Sequence, residues 1–201
     1  MNELKKSRIK TVFKYSWPFY LISAVLTVFG LYFVFSIIHK TPAYKTLTLF
    51  ASGEVTEPKK LNKDLLERYK DKELKSFSCV SANPNDGNYY SKLSVPGYNS
   101  SDVLIIPTSV IDNLKLNLSA FALDLSEDLV NSYYQGYTLY QQNTINYGVK
   151  IDKDKVKEYM ALPNEDCYLF LNGKSVNIGE YSTKPNKAHD TALCLVKDWG
   201  M

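Results

Sequence analysis

The sequence predicts an α/β domain, mainly parallel in its sheet, carried behind one N-terminal apolar helix. Three observations predict it. Trp17 to Ile38 runs without a single charge. Strand-like stretches at Tyr44–Ala51, Lys75–Ser81 and Val103–Ile106 are separated by helical patterns, the alternation that builds an α/β sheet. The third of them sits in Asp102-Val103-Leu104-Ile105-Ile106-Pro107, a continuous apolar run expected of a strand buried on both faces, as in a parallel sheet.

The uncharged run is long enough to cross a bilayer, which takes about 20 mostly apolar residues. Lys5, Lys6, Arg8, Lys10 and Lys14 precede it, and Trp17, Tyr20 and Tyr32 suit the membrane–water boundary. Basic flanks stay in the cytoplasm, so the expected division is a cytoplasmic tail at 1–16, a transmembrane anchor at 17–38 and an extracytoplasmic domain at 39–201. The N-terminus is then inside and the C-terminal domain outside the cell membrane. A cleaved secretory signal has a shorter apolar core, of roughly 7–15 residues, and ends in a small-residue site. The stretch Ser36-Ile37-Ile38-His39-Lys40 matches such a site poorly, although Thr41-Pro42-Ala43 lies just beyond. The reading is therefore a signal-anchor. Ser23, Thr27 and Gly30 share one helical face, where small residues let another helix approach closely. The plainer reading is a lone span in lipid that tolerates them.

Charge distribution excludes one class of partner. Of 24 basic and 21 acidic residues, six basic and one acidic precede Thr41, which leaves the rest of the chain at a net −2. Such a domain lacks the basic footprint of a nucleic-acid binder. Its length supports a sizeable core without disulfides. Of the three cysteines, Cys79, Cys167 and Cys194, at most two can pair with each other, and spacing does not choose between pairs. Cys167 opens an expected hairpin and Cys194 lies on the helix expected to cross it, so that pair is the candidate disulfide. Buried free thiols are the alternative. There is no Cys-x-x-Cys, and nothing in the spacing of the cysteines with His189 supports zinc.

The elements follow in order. Tyr44–Ala51 alternates as a strand and Ser52-Gly53 ends it. Leu61, Leu65, Leu66 and Tyr69 share a helical face. Lys75–Ser81 is a second strand, followed by the turn residues Asn83-Pro84-Asn85-Asp86-Gly87. Asn88–Leu93 reads as a short helix. After Pro107, Thr108 or Ser109 caps a helix through Asn113. Ser126-Glu127-Asp128 opens another, which Gly136 closes. Tyr137–Tyr140 and Thr144–Ile151 are two strands around Gln142-Asn143, and Asp152–Met160 is helical. Cys167–Leu171, Asn172-Gly173 and Lys174–Ile178 form a hairpin, because Asn-Gly suits its tight turn. Tyr181–Ala188 is a polar loop, and Asp190 caps the last helix.

This order resembles one lobe of the bacterial extracellular solute-binding proteins that serve ABC importers. Leu47-Thr48-Leu49-Phe50 resembles their first strand, Ser101-Asp102-Val103-Leu104-Ile105 their Pro-Asp-Val-Val segment, and Leu123-Asp124 the approach to their hinge. Asn146-Tyr147-Gly148-Val149-Lys150-Ile151 resembles their Tyr-Gly-Val-Pro strand. The resemblance implies an α/β lobe. It also exposes a departure. Where that family inserts a second lobe, only Asp152–Asp166 intervenes here, so the cleft that grips solute has no second wall.

No catalytic residue, metal ligand or cofactor site is read from the sequence. Asp64 with Glu67, and Asp124 with Glu127 and Asp128, have the spacing of solvated helix faces and caps rather than of an acid–base pair. Asp190 beside Cys194 reads as a helix cap rather than as part of a thiol nucleophile. Tyr133, Tyr134, Tyr137, Tyr140 and Tyr147 form the candidate binding surface, since amphipathic rings suit sugars and protein partners; the competing reading is core and strand packing. The expected role is that of a non-enzymatic accessory or interaction domain beside a membrane protein partner, within a membrane transport complex. The alternative is binding of a small solute, a sugar or peptide, by a degenerate single lobe.

Overall fold

The computed structural model describes residues 2–38, 41–182 and 189–201. It divides the chain into two units, 1–40 and 41–201. In the first, helix α1 (Asn2–Ile38) is continuous, so the basic tail is helical too. Its stretch Lys14–Ile37 has a mean hydropathy of 2.1 and is one helix long and apolar enough to cross a membrane. At 1.5 Å per residue those residues span about 36 Å, more than the roughly 30 Å hydrocarbon core.

The second unit is the expected α/β domain. Strands β1 (Thr46–Ser52), β3 (Ser76–Ala82), β4 (Val103–Pro107), β5 (Leu139–Gln142), β6 (Ile145–Lys150) and β8 (Cys167–Leu171) make one sheet in the order β3-β1-β4-β8-β6-β5. β1 lies between β3 and β4 and is parallel to both, while β8 enters antiparallel to β4 and to β6. Strands β1, β3, β4 and β6 therefore run one way and β5 and β8 the other. The three strands read first from the sequence lie side by side with β1 in the middle, and their connections carry helices, as parallel strands require.

Alternation within β1 sends side chains to two cores. Leu47, Leu49 and Ala51 join Leu61 and Leu65 of α2 (Pro58–Arg68) and Leu195, Val196 and Trp199 of α8 (Thr191–Trp199). Phe50 joins Leu104, Ile106 and Phe170 against Tyr89 and Leu93, and against Val110 and Ile111 of α5 (Thr108–Asn113). Helices thus cover both faces, which is why β4 is buried at every position.

Several elements depart from expectation. The segment after Tyr89 runs through α3 (Tyr89–Lys92), a π-helical turn at Leu93–Gly97 and α4 (Tyr98–Ser100), because the ring of Pro96 removes a donor mid-helix. Asp152–Met160 is only partly helical. Asp152 caps α7 (Lys153–Val156) by accepting from Asp154 N, and the chain then straightens into β7 (Met160–Ala161). Lys174–Ile178 is not a strand, so the Asn172-Gly173 hairpin is absent. Asn172 instead turns inward, its Nδ2 donating to the Tyr98 and Ser101 carbonyls at 2.8 Å each. Asp190 makes no cap bond; its carboxylate takes Lys72 Nζ at 2.8 Å. The Ser126 cap is present, accepting from Leu129 N at the start of α6 (Glu127–Tyr133). The polar loop read at 181–188 lies largely outside the described residues.

Candidate functional site

In open α/β sheets, ligands bind beyond the carboxyl ends of the parallel strands. Here those ends are Ser52, Ala82 and Pro107. A concavity of about 320 Å³ lies beside them, lined by Gly53, Glu54, Asn83, Asn85, Ser109 and Glu165 together with Ala161–Pro163. The 152–166 connection forms one wall.

That connection is bound in place along its length. β7 pairs antiparallel with β2 (Glu54–Val55), matching Glu54 to Ala161 and Val55 to Met160. Thr56 N and Glu57 N donate to Tyr159 O at 2.9 and 3.2 Å. Val156 and Met160 are buried in the core, and the Tyr159 hydroxyl donates to Asp64 at 3.0 Å. Lys153 Nζ reaches the carbonyls of Pro163 and Glu165. The approach is close at Gly53, where an added Cβ would lie 2.5 Å from Ala161 O; only glycine fits without a backbone shift.

Glu165 then fastens the connection to the first turn of α5. Its Oε2 accepts from Ser109 N at 2.7 Å and from Thr108 Oγ1 at 3.1 Å, and Oε1 accepts from Ser109 Oγ. Burial pushes this carboxyl up, but the Ser109 and Thr108 bonds and the Lys153 charge outweigh it and hold the group below its ordinary range. The expected cap, Thr108 or Ser109, is therefore not a cap on its own helix: both hydroxyls are donors to Glu165. The chain supplies its own anionic group where an anionic ligand would find donors.

At the opposite ends of the strands lies a buried polar cluster. Asp102, 8% exposed, accepts from Thr48 N at 2.7 Å and Ser175 Oγ at 2.5 Å. Burial raises its pKa, against the pull of those bonds. Asn177 Nδ2 donates to Thr46 O, Ser182 Oγ to Ser175 O, and Asn172 holds two carbonyls as above. Every group named here bonds within the chain, so the cluster ties the segment after β8 to the sheet. A second concavity, of about 400 Å³, opens nearby beside Tyr90, Lys115, Asn117, Lys174 and the stacked Tyr98–Phe121 pair.

The residues singled out from the sequence scatter. Tyr134 is fully buried, its hydroxyl donating to Leu193 O at 3.2 Å, and burial raises its pKa. Tyr133 and Tyr137 pack on it from either side, and Tyr137 donates to Lys197 O. Tyr140 meets Tyr168 and Phe170 edge-on, and Tyr147 is 5% exposed in the other core. The five do not share one surface. On α1, Ser23, Thr27 and Gly30 are exposed; Thr27 Oγ1 donates to Ser23 O at 2.8 Å, and nothing lies within 4 Å of a Cβ built on Gly30.

All three cysteines are free thiols. The two considered as a pair have different surroundings: Cys167 Sγ lies against Glu165 O, and Cys194 Sγ is 3.7 Å from Asp190 Oδ2. Burial and Asp190 raise the Cys194 thiol, the wrong direction for a nucleophile. His189 stacks flat on Tyr44. Among the described residues, no group of three or more His, Cys, Asp or Glu is placed to hold a metal. Sequence reasoning missed Glu165, Asp102, Ser175 and Asn177, each of which has a partner distant in the chain; of these, only Asp102 carried a local signal, as the polar residue opening an apolar strand.

No family model and no curated protein matches this chain. Among solved structures, it is similar to an ABC substrate-binding protein from Listeria monocytogenes in complex with cycloalternan, with a TM-score of 0.34 and 12% identity over 56% of this chain. The match covers 32% of that protein, about a third of its length, and so slight a likeness does not bear on function.

Proposed function

We propose that this chain is a single-pass membrane protein, held by residues 17–38 with its N-terminal tail in the cytoplasm, whose domain from Thr41 onward works outside by contacting protein, as an accessory domain of a membrane transport assembly. One observation carries the contact reading. The strand ends where a solute would sit are narrowed by the chain's own 152–166 connection, with Glu165 on the donors of α5. The anchor follows from the length and hydropathy of Lys14–Ile37 and from the basic residues before it. An anchor concentrates the domain beside its partner, so a weak contact suffices. Crosslinking in native membranes followed by capture of the full chain tests this; a defined membrane partner is the expected result.

A second reading is small-solute binding in the remaining concavity of about 320 Å³, where Glu54, Asn83 and Asn85 offer polar groups. Saturable micromolar binding of a sugar, amino acid or peptide by the purified chain favours it and overturns the contact reading.

A further inference from the structure

The two edges of the six-stranded sheet differ in kind. β5 is four residues long and its register breaks between Tyr140 and Gln141, so the edge is short and bulged. β3 is seven residues long and pairs with β1 without a break from Ser76 to Ala82. Its sequence, Ser-Phe-Ser-Cys-Val-Ser-Ala, has no charge and no proline. Folded proteins blunt exposed edges with charge, proline, bulges or brevity, because an open row of N–H and C=O groups recruits another strand. β5 carries two of those devices and β3 carries none. Among the described residues, β3 has no strand neighbour but β1.

Bond directions show which groups are open. Gly53 N donates to Ala82 O, and Thr48 of β1 accepts from Asp102 on the β4 side. Backbone groups alternate along a strand, so the even-numbered residues of β3 face β1. Phe77, Cys79 and Ser81 then turn both N–H and C=O outward, with Cys79 at the centre.

Resting on the contact reading above, we propose that this edge is a self-pairing surface: two copies of the chain join antiparallel along β3, with the two-fold axis at Cys79, into one continuous sheet. Such an interface is isologous, so each residue must suit its mirror partner. Centring on Cys79 uses every outward group. Cys79 pairs with the second copy's Cys79, and Phe77 with its Ser81, giving about six backbone bonds in all. Side chains fit as well. The bulky Phe77 stands opposite a small serine, Ser78 opposite a valine, and no like charges meet, since the strand carries none.

The test uses the full chain in detergent, with mass measured by light scattering at tens of micromolar. Ser81→Pro removes an outward N–H and leaves the β1 ladder intact. Ser78→Lys sets lysines beside the axis, and Gln141→Lys places the same charge on the β5 edge. The expected result is a dimer for wild type and Gln141→Lys, with dimerisation weakened about tenfold or more in the two β3 variants. Hydrogen exchange on wild type keeps the idea testable if those variants fail to fold: amides of Phe77, Cys79 and Ser81 should be protected and lose protection on dilution. A monomeric wild type, a dimer untouched by both β3 variants, or concentration-independent exchange overturns the proposal. If one of those results is found and membrane crosslinking captures a different protein, self-pairing fails while the contact reading stands. If neither a dimer nor any partner is found, both fall.

Discussion

Replacing Glu165 with alanine tests whether the 152–166 connection is held closed by the bonds described. The substitution removes a carboxylate that accepts from Ser109 N, Ser109 Oγ and Thr108 Oγ1, and leaves Ser109 without that acceptor while Thr108 keeps Asp166 O. Charge-assisted bonds contribute about 1.5–3 kcal/mol, and the half-exposed position puts the cost near the middle, about 2 kcal/mol. For a domain of this size that corresponds to a fall of about 4–8 °C in unfolding midpoint. The loss has a pH signature. Glu165 is held below its ordinary carboxyl range, so its contribution is fully present above about 4.5 and disappears as pH falls through the folded value. Thermal unfolding of the full chain in detergent, wild type against Glu165→Ala, should show a gap at neutral pH that narrows on acidification. Hydrogen exchange should locate the loosening at Glu54–Glu57 and Tyr159–Ala161. Equal midpoints at pH 7, or a gap that persists in acid, would refute the assignment.

Further outcomes follow from the same geometry. Gly53→Ala should push β7 away, since the new Cβ meets Ala161 O at 2.5 Å; overpacking of this kind costs about 1–3 kcal/mol, and an unchanged midpoint counts against the close approach. Asn172→Ala strands the Tyr98 and Ser101 carbonyls and should cost about 3 kcal/mol in urea unfolding. Burial pushes the Cys167 thiol up to about 11, so iodoacetamide should leave it unmodified in the folded chain and modify it after denaturation; rapid native labelling contradicts its burial. Protease added to intact cells should remove the domain from Thr41 onward, and protection until lysis would reverse the topology.

What was legible in the sequence is what local patterns determine. The strands β1, β3 and β4, the helices α2, α6 and α8, and the apolar α1 all follow from periodicity within a single segment. The hairpins show where this stops. Asn172-Gly173 carries the stronger turn signal, yet the tight hairpin is at Asn143 and Thr144, with φ of 51° and 67°. Two positive φ values are what the favoured hairpin turn requires, and asparagine tolerates them. Asn172 is drawn away because its amide satisfies carbonyls 71 and 74 residues earlier. Ser175 likewise reaches 73 residues back to Asp102. No window reading finds such pairs, and the same holds for Glu165, which looks like any exposed acid until α5 is folded beside it.

The tyrosines teach the complementary point about the site. Five rings close in sequence suggested a surface, but strand alternation and the turn at Gly136 divide them between the α8 side and the opposite core. The hydroxyls of Tyr134 and Tyr137 are used on backbone carbonyls, which makes these two packing elements with a polar tip. The places left for recognition are therefore ones that side-chain composition does not advertise. The connection walls one side of the concavity at the carboxyl ends of β1, β3 and β4, and the sheet's open backbone hydrogen-bonding groups lie along its sides. Of those sides, β5 is cut short by its bulge, and β3 is uncharged, unbroken and seven residues long. A main-chain edge recognises another main chain far better than it recognises a compact solute, because only an extended strand can satisfy alternate N–H and C=O groups in register.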